Sequence, residues 1–277
     1  MANVLGVSRS GYYRYVQSKP SHREQANQVL LEQIKKVHQD SRELYGSPRV
    51  YAALKQQGVS CGRHRVARLM KKNKIQARIP KHYKVTTKVN PALSVAKNLL
   101  NRNFSAHKPN EKWVSDITYI KTREGWLYLA VILDLFSRRV VGMSMAARMT
   151  SELVAKAFNQ AVLHRNYPKE FIYHSDRGSQ YASGAFQGLL KSHKIMISMS
   201  GGGNCYDNAA MESFFHTLKT ECVYLKGVYA TRQEAAHDIF DYVETFYNPK
   251  RLHSTLNYRS PRVFEIAYHQ QKNRAVT

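Results

Sequence analysis

Three apolar stretches follow one another between residues 113 and 145, and the first carries a carboxylate in its middle. Residues 113–120 alternate, 126–135 are rich in Leu, Val and Ile, and 139–145 are apolar again. Turn-like Arg123-Glu124-Gly125 and Ser137-Arg138 join them, which predicts an antiparallel meander. Beyond it the apolar spacing predicts a helix over 151–165, a strand over 170–174, a helix over 180–192, a strand over 194–199 and a helix starting near Asn208. This order specifies a mixed α/β fold. Helices over about 231–246 and 261–270 flank a polar loop, Tyr247 to Pro261.

Asp116 lies inside the first apolar strand and Asp176 where a later strand ends, both poor places for an unpaired charge. Glu212 follows Asp176 with 35 residues between them and sits on a helix. Met211, Phe214, Leu218 and Cys222 form that helix's apolar face, and Glu212, His216 and Lys219 share a different edge. Hard cations such as Mg²⁺ take oxygen ligands and keep substrate phosphates in the shell. Two strand carboxylates and one helical carboxylate can place two such ions about 4 Å apart, one activating water or a 3′-hydroxyl, the other stabilising the leaving oxygen. A lone Asp or Glu is more often a surface charge; three in these settings shift the balance.

Lys and Arg outnumber Asp and Glu 43 to 19. The excess is concentrated: residues 1–110 carry a net +18, and Tyr45 to Asn110 holds 15 basic residues and no acid. A polyanion partner follows, since phosphate contacts dominate nucleic-acid affinity. Residues 22–40 read as a helix. A helix over about 48–56, a turn at Gly58-Val59-Ser60 and a helix over about 61–72, with Ser60 as N-cap, form a helix-turn-helix candidate. Val66, Leu69 and Met70 gather on one side of the last helix; Arg65, Arg68, Lys71 and Lys72 gather on the other. Residues 1–18 read as the tail of a small helical DNA-binding unit, and 75–110 as a linker or basic arm. The longest apolar run is too short to span a bilayer and the N-terminus lacks a signal-peptide pattern, so a cytoplasmic, nucleoid-associated protein is expected. Cys61, Cys205 and Cys222 fit neither a disulfide framework nor a zinc site.

The words around the carboxylates resemble the OrfB transposases of bacterial insertion sequences of the IS-three family. They are Trp113-Val114-Ser115-Asp116-Ile117-Thr118-Tyr119, Asp134-Leu135-Phe136-Ser137-Arg138, His174-Ser175-Asp176-Arg177-Gly178-Ser179-Gln180-Tyr181, and Gly203-Asn204-Cys205-Tyr206-Asp207-Asn208-Ala209 through Met211-Glu212-Ser213-Phe214-Phe215 to Leu218-Lys219. Tyr45-Gly46-Ser47-Pro48-Arg49-Val50, Arg65-Val66-Ala67-Arg68-Leu69-Met70, Tyr247-Asn248-Pro249-Lys250-Arg251-Leu252-His253-Ser254 and Tyr258-Arg259-Ser260-Pro261 extend the resemblance over nearly the whole chain. It implies an RNase H-like, retroviral-integrase-like core with Asp116, Asp176 and Glu212 as catalytic metal ligands for Mg²⁺ or Mn²⁺, two ions per site, and Lys219 near the DNA ends. It also implies cleavage that frees 3′-hydroxyls, joining by direct attack, and frequent fusion to an upstream OrfA protein. Two rival readings are a nuclease that only hydrolyses and a DNA-binding repressor of its own element.

The resulting expectation is an α/β protein with four parts. They are a helix-turn-helix region over 1–78, a basic linker over 79–110, a catalytic core over 111–225 and C-terminal helices over 226–277. Double-stranded DNA is the expected partner, gripped by Arg49, Arg63, Arg65, Arg68, Lys71, Lys72, Lys219, Arg251 and His253, with a homo-oligomer assembled on it. Asp134 reads as a fourth ligand or a turn carboxylate, and His174 and His216 as phosphate contacts or packed rings. Gly201-Gly202-Gly203 reads as a phosphate cradle or a gate ahead of Glu212.

Overall fold

The computed structural model describes residues 6, 8–78, 96–201 and 205–274, and divides the chain into two compact units, residues 1–77 and 78–277. Of the expected linker or arm over 79–110, residues 79–95 lie outside the described residues, as do Gly202, Gly203 and Asn204.

The first unit is all helix. Helix α1 (Arg9–Gln17) buries nothing. Helix α2 (His22–Asp40) begins at a capping box in which Ser21 and Glu24 satisfy each other's backbone N–H groups. Helix α3 (Ser47–Gln56) starts with Pro in its first turn, where a missing N–H costs nothing. Helix α4 (Arg63–Lys72) is capped by Gly62 without a side-chain bond, so the expected Ser60 cap is corrected: the chain stays extended for two more residues. Leu30, Ile34 and Val37 of α2, Val50 and Leu54 of α3, and Val66, Leu69 and Met70 of α4 are buried.

The second unit holds a five-stranded sheet in the order β3-β2-β1-β4-β5. Strands β1 (Lys112–Thr122), β2 (Gly125–Asp134) and β3 (Val140–Ala146) form the expected antiparallel meander. Strands β4 (Ile172–Ser175) and β5 (Met196–Met199) add in parallel on the other side of β1, which needs helical crossovers. Helix α5 (Ser151–His164) and helix α6 (Gly184–Ser192) supply them. One core gathers Trp113, Ala130 and Ile132 of the sheet with Val154, Ala157, Phe158 and Ala161 of α5 and Phe186 of α6. Gly142 on β3 makes the close approach of α5 possible: a Cβ there would stand 2.3 Å from the Ala157 carbonyl oxygen.

Helix α7 (Ala209–Leu218) runs on through a π-helical turn, Lys219–Val223, into α8 (Tyr224–Lys226). Helix α9 (Arg232–Asp241) likewise continues as π-helix over Tyr242–Tyr247, and α10 (Pro261–Arg274) closes the fold. Glu265 anchors α10: buried, it accepts from Ser137 Oγ (2.6 Å), Arg139 Nη1 (2.8 Å) and Arg165 Nη1 (3.0 Å).

Candidate active site

The pairing of β1 with β4 puts Trp113 beside Tyr173 and Val114 beside His174, a constant offset of sixty residues. Continued by two residues, that offset sets Asp116 beside Asp176, just past the end of β4 and on the same side of the sheet. Neighbouring strands are about 4.8 Å apart. Asp116 Oδ1 accepts from the Ile117 amide (2.7 Å) and Asp176 Oδ1 from the Gly178 amide (2.9 Å). A Cβ at Gly178 would stand 3.0 Å from Asp176 Oδ1, so a side chain there would crowd that carboxyl.

Burial, and next the charge of Asp176, push the Asp116 carboxyl well above the ordinary carboxylate range; Glu212 adds to this and Lys219 opposes it. Burial raises Asp176 too, against the pull of the Gly178 amide. Glu212, exposed in the first turn of α7, and Lys219, half-buried where the π turn begins, are thus both within electrostatic reach of Asp116. Desolvation lowers the Lys219 pKa, opposed by Asp116.

Among the described residues no group of three or more His, Cys, Asp or Glu side chains is gathered tightly enough to hold a metal ion. The donors still fit a hard divalent cation. Two neighbouring carboxyls, oxygen donors both, repel each other when ionised, and a cation relieves that repulsion.

Asp134 is not a member of this group. Fully buried, it accepts from the Asn110 amide (2.9 Å) and the Phe136 amide (2.9 Å) and lies 3.4 Å from Arg165 Nη2. His174 is a packed ring between Ser198 Oγ (2.8 Å) and Ser200 Oγ (3.2 Å), its pKa pushed down to about 4 by burial. His216 is exposed on α7.

Residues 106–205 match the model of an integrase core domain, 212–268 match a further integrase core domain, and 24–83 match an HTH-like domain. A 31 kDa uncharacterized protein of insertion element IS600 from Shigella sonnei is 44% identical over 270 residues, covering 98% of this chain and 99% of that one. Transposase InsF for insertion sequence IS3A from Escherichia coli (strain K12) is 40% identical over 267 residues, covering 96% of this chain and 92% of that one. The chain belongs to the IS3 family of insertion-sequence transposases. It is a DNA transposase with an RNase H-like integrase core and an N-terminal HTH-like domain. The integrase core implies dependence on divalent metal. The catalytic core domain of HTLV-2 integrase, solved in complex with magnesium, is also similar: 20% identity, TM-score 0.45, over 57% of this chain and 97% of that one. Among the described residues no helix is long and apolar enough to cross a membrane.

The expected DNA contacts of this transposase divide on inspection. Arg63, Arg68, Lys71 and Lys72 are exposed along α4, away from its buried Val66, Leu69 and Met70. Arg49 is half-buried with its guanidinium 5.8 Å from the centre of the Tyr45 ring. Arg65 braces α4 against α2, its Nε donating to Asn27 Oδ1 (2.8 Å). Arg251 is a correction. It is buried and two-armed on Glu221, Nε to Oε2 at 2.7 Å and Nη2 to Oε1 at 2.6 Å, and that pairing removes it from any phosphate. His253 packs edge-on to Tyr247 and lies 3.3 Å from Arg251 Nη1, part of the same internal cluster.

Sequence reasoning passed over Asp207. Buried, its carboxylate accepts from the Gly201 amide (2.8 Å), Asn98 Nδ2 (3.0 Å) and Arg102 Nε (3.2 Å). Burial would raise its pKa; the Gly201 amide and Arg102 hold it below the usual value. It pins residues 98–102 to the entry of α7, the helix of Glu212. Its place within the Cys205-Tyr206-Asp207-Asn208 word was the available signal. Tyr181 was missed as well: its hydroxyl meets Ser115 Oγ at 2.9 Å, behind Asp116.

Proposed function

We propose that Asp116, Asp176 and Glu212 are the catalytic carboxylates of this transposase. They would hold two Mg²⁺ or Mn²⁺ ions while the element's ends are cleaved to free 3′-hydroxyls and joined to DNA by transesterification. The observation that carries the reading is the shared register of Asp116 and Asp176, with Glu212 and Lys219 within electrostatic reach. Bound divalent metal supplies activation of the attacking oxygen and stabilisation of the leaving one.

The rest falls to the chain's own groups. The Ile117 and Gly178 amides fix one oxygen of each aspartate. Glu212 enters from α7, whose start is tied to β1 by the Asn208 side chain donating to the Ser115 carbonyl (3.4 Å). Lys219 offers an ammonium to the phosphate beside the reacting one. Arg63, Arg68, Lys71 and Lys72, with Arg49 at the head of α3, hold duplex DNA through its phosphates and place α4 for groove contact. Joining two ends calls for at least two sites, hence a homo-oligomer on DNA. Fusion to an upstream OrfA protein is compatible with this chain as the catalytic half, and DNA binding would associate it with the nucleoid.

The test is strand joining in Mg²⁺ with a labelled duplex of the element's end, comparing wild type with Asp176→Asn and Glu212→Gln. Joined product from wild type alone is expected. Joining that persists in either variant overturns the assignment, and nicks without joined product favour a hydrolytic nuclease.

A further inference from the structure

Beyond the carboxylates, one exposed patch carries aromatics and cations together. On β1, Tyr119 and Lys121 project to the same face. Across the ladder Lys121 pairs with Trp126, so all three side chains stand on one side of the sheet. Farther along, that face is covered: Trp113, Ala130 and Ile132 pack beneath α5. At this end Tyr119 and Trp126 each remain 43% exposed. Their rings meet edge to face, centroids 5.0 Å apart.

The patch is also held still. Arg232 Nε donates to the Trp126 carbonyl (3.0 Å), its backbone N–H donates to Glu124 Oε2 (2.9 Å), and Arg123 donates its amide to the Tyr229 carbonyl (3.0 Å). Arg232 and Glu124 largely answer each other's charge at this hairpin; Lys121 and Arg123 are exposed beside them.

A connection to the carboxylates runs over the edge of β1. Among the described residues the ladder with β4 ends at Val114; past it that edge meets the Asn208 side chain at the Ser115 carbonyl and, farther on, the bridge of Thr122 with Tyr229. Lys219 sits on this edge. Its Nζ lies 5.3 Å from the centre of the Tyr119 ring, and it is within electrostatic reach of Asp116. Tyr119 follows Asp116 by three residues, about 10 Å of strand, and lies on the other face of the sheet, so a strand end running from one to the other crosses this edge over roughly three nucleotides or more at about 3.4 Å each.

We propose that Trp126 and Tyr119, with Lys121 and Lys219, form a stacking platform for unpaired DNA bases near the reacting phosphate, which divalent metal on Asp116 and Asp176 would take. This rests on the transposase reading of those carboxylates and names what that reading lacks, a site for the separated strand end. Aromatic faces take any base, but only one not paired within a duplex, while the interleaved ammonium groups take its phosphates. Phosphate contacts make no use of a ring; base stacking does, and this braced hairpin offers two exposed ones.

The full chain carries two tryptophans, Trp113 buried in the core and Trp126 exposed, so a change in emission on adding DNA reports Trp126. Emission is followed during titration with a duplex bearing a single-stranded 3′ overhang and with the blunt duplex, alongside anisotropy of the labelled DNA. The platform predicts quenching by the overhang DNA at the concentrations that saturate anisotropy. It predicts that Trp126→Leu weakens overhang binding by roughly tenfold, that Tyr119→Leu weakens it several-fold, and that Trp126→Phe retains it. Blunt duplex affinity stays unchanged in all three. Saturation without quenching overturns the proposal, as does equal affinity of wild type and Trp126→Leu for the overhang. So does Trp126 emission that changes with protein concentration alone, which would make the patch an interface between copies. Loss of joining in Asp176→Asn without any Trp126 effect sinks the platform and leaves the transposase site standing. Quenching with joining retained in Asp176→Asn does the reverse.

Discussion

Arg251 and Glu221, thirty residues apart, form a buried two-armed ion pair whose carboxylate also accepts from the Tyr242 hydroxyl at 2.8 Å. Glu221 lies within the π turn that begins at Lys219, and Tyr242 begins the other π stretch. The pair therefore ties both irregular turns to the loop after residue 247. Removing one partner strands the other charge in the interior, which costs about 3–5 kcal/mol. Arg251→Met is expected to lower the unfolding free energy read from urea titration by that amount, and Arg251→Lys by less. An Arg251→Met variant that keeps its stability and loses only DNA affinity would restore the phosphate-binding reading.

Asp116 and Asp176 destabilise each other and the fold while no cation is bound. Their folded pKa values lie above the unfolded ones, Asp116 being pushed up to about 8, so holding the pair without a cation at pH 7, where unfolded aspartates are ionised, is a cost. Asp176→Asn is predicted to raise the melting temperature without divalent metal, by the equivalent of about 1–2 kcal/mol. Wild type should gain melting temperature on adding Mg²⁺, and the variant should gain little. Thermal melts with and without Mg²⁺ measure both, and an equal gain in the two would place the ion elsewhere.

On α4 the exposed and the braced cations should behave differently. Each phosphate contact contributes about one unit to the slope of log affinity against log salt. Arg68→Ala and Lys71→Ala are expected to lower that slope by about one each without changing stability. Arg65→Ala, which loses the bond to Asn27, is expected to cost about 1 kcal/mol of stability. Salt-dependent binding isotherms and melts of the three variants separate these roles, and unchanged slopes would take α4 off the DNA.

Asp134 supplies a pH signature. Burial pushes its carboxyl up to about 6 against the pull of Arg165 and the Asn110 amide, whereas an unfolded aspartate titrates near 3.9. The folded state therefore binds this proton more tightly. Stability from this group is present below about pH 4 and is lost as pH rises to about 6. The loss is of order 3 kcal/mol and is flat above that. Glu265 has the opposite sign: burial would raise it, but Arg165 holds it below its ordinary value, so its stability is lost in acid. Asp134→Asn should remove the slope between pH 4 and 6 while lowering stability throughout. Denaturant titrations at several pH values test this, and identical slopes in wild type and variant would show that Asp134 titrates normally.

The sequence by itself determined the element order, because apolar periods of two and of 3.6 are local properties. Residues 113–145 read as a meander and formed one. It also singled out Asp116, because a carboxylate amid Trp, Val and Ile is conspicuous without any coordinates. Other things belonged to tertiary structure. The offset that brings Asp116 beside Asp176 comes from parallel pairing of β1 with β4 across the meander and one helix, α5, and no local period encodes it. Composition could not say which cations face water. Arg68 and Arg251 are the same residue in equally polar words, yet one lies on an open helix face and the other closes on Glu221. Asp134, Asp176 and Asp207 look alike in sequence too. The first is consumed by Arg165 and two amides, and the third by Gly201, Asn98 and Arg102. The second stands beside another carboxyl, and burial raises the pKa of both. A buried charge takes its role from the group that answers it, and that group is chosen by the fold.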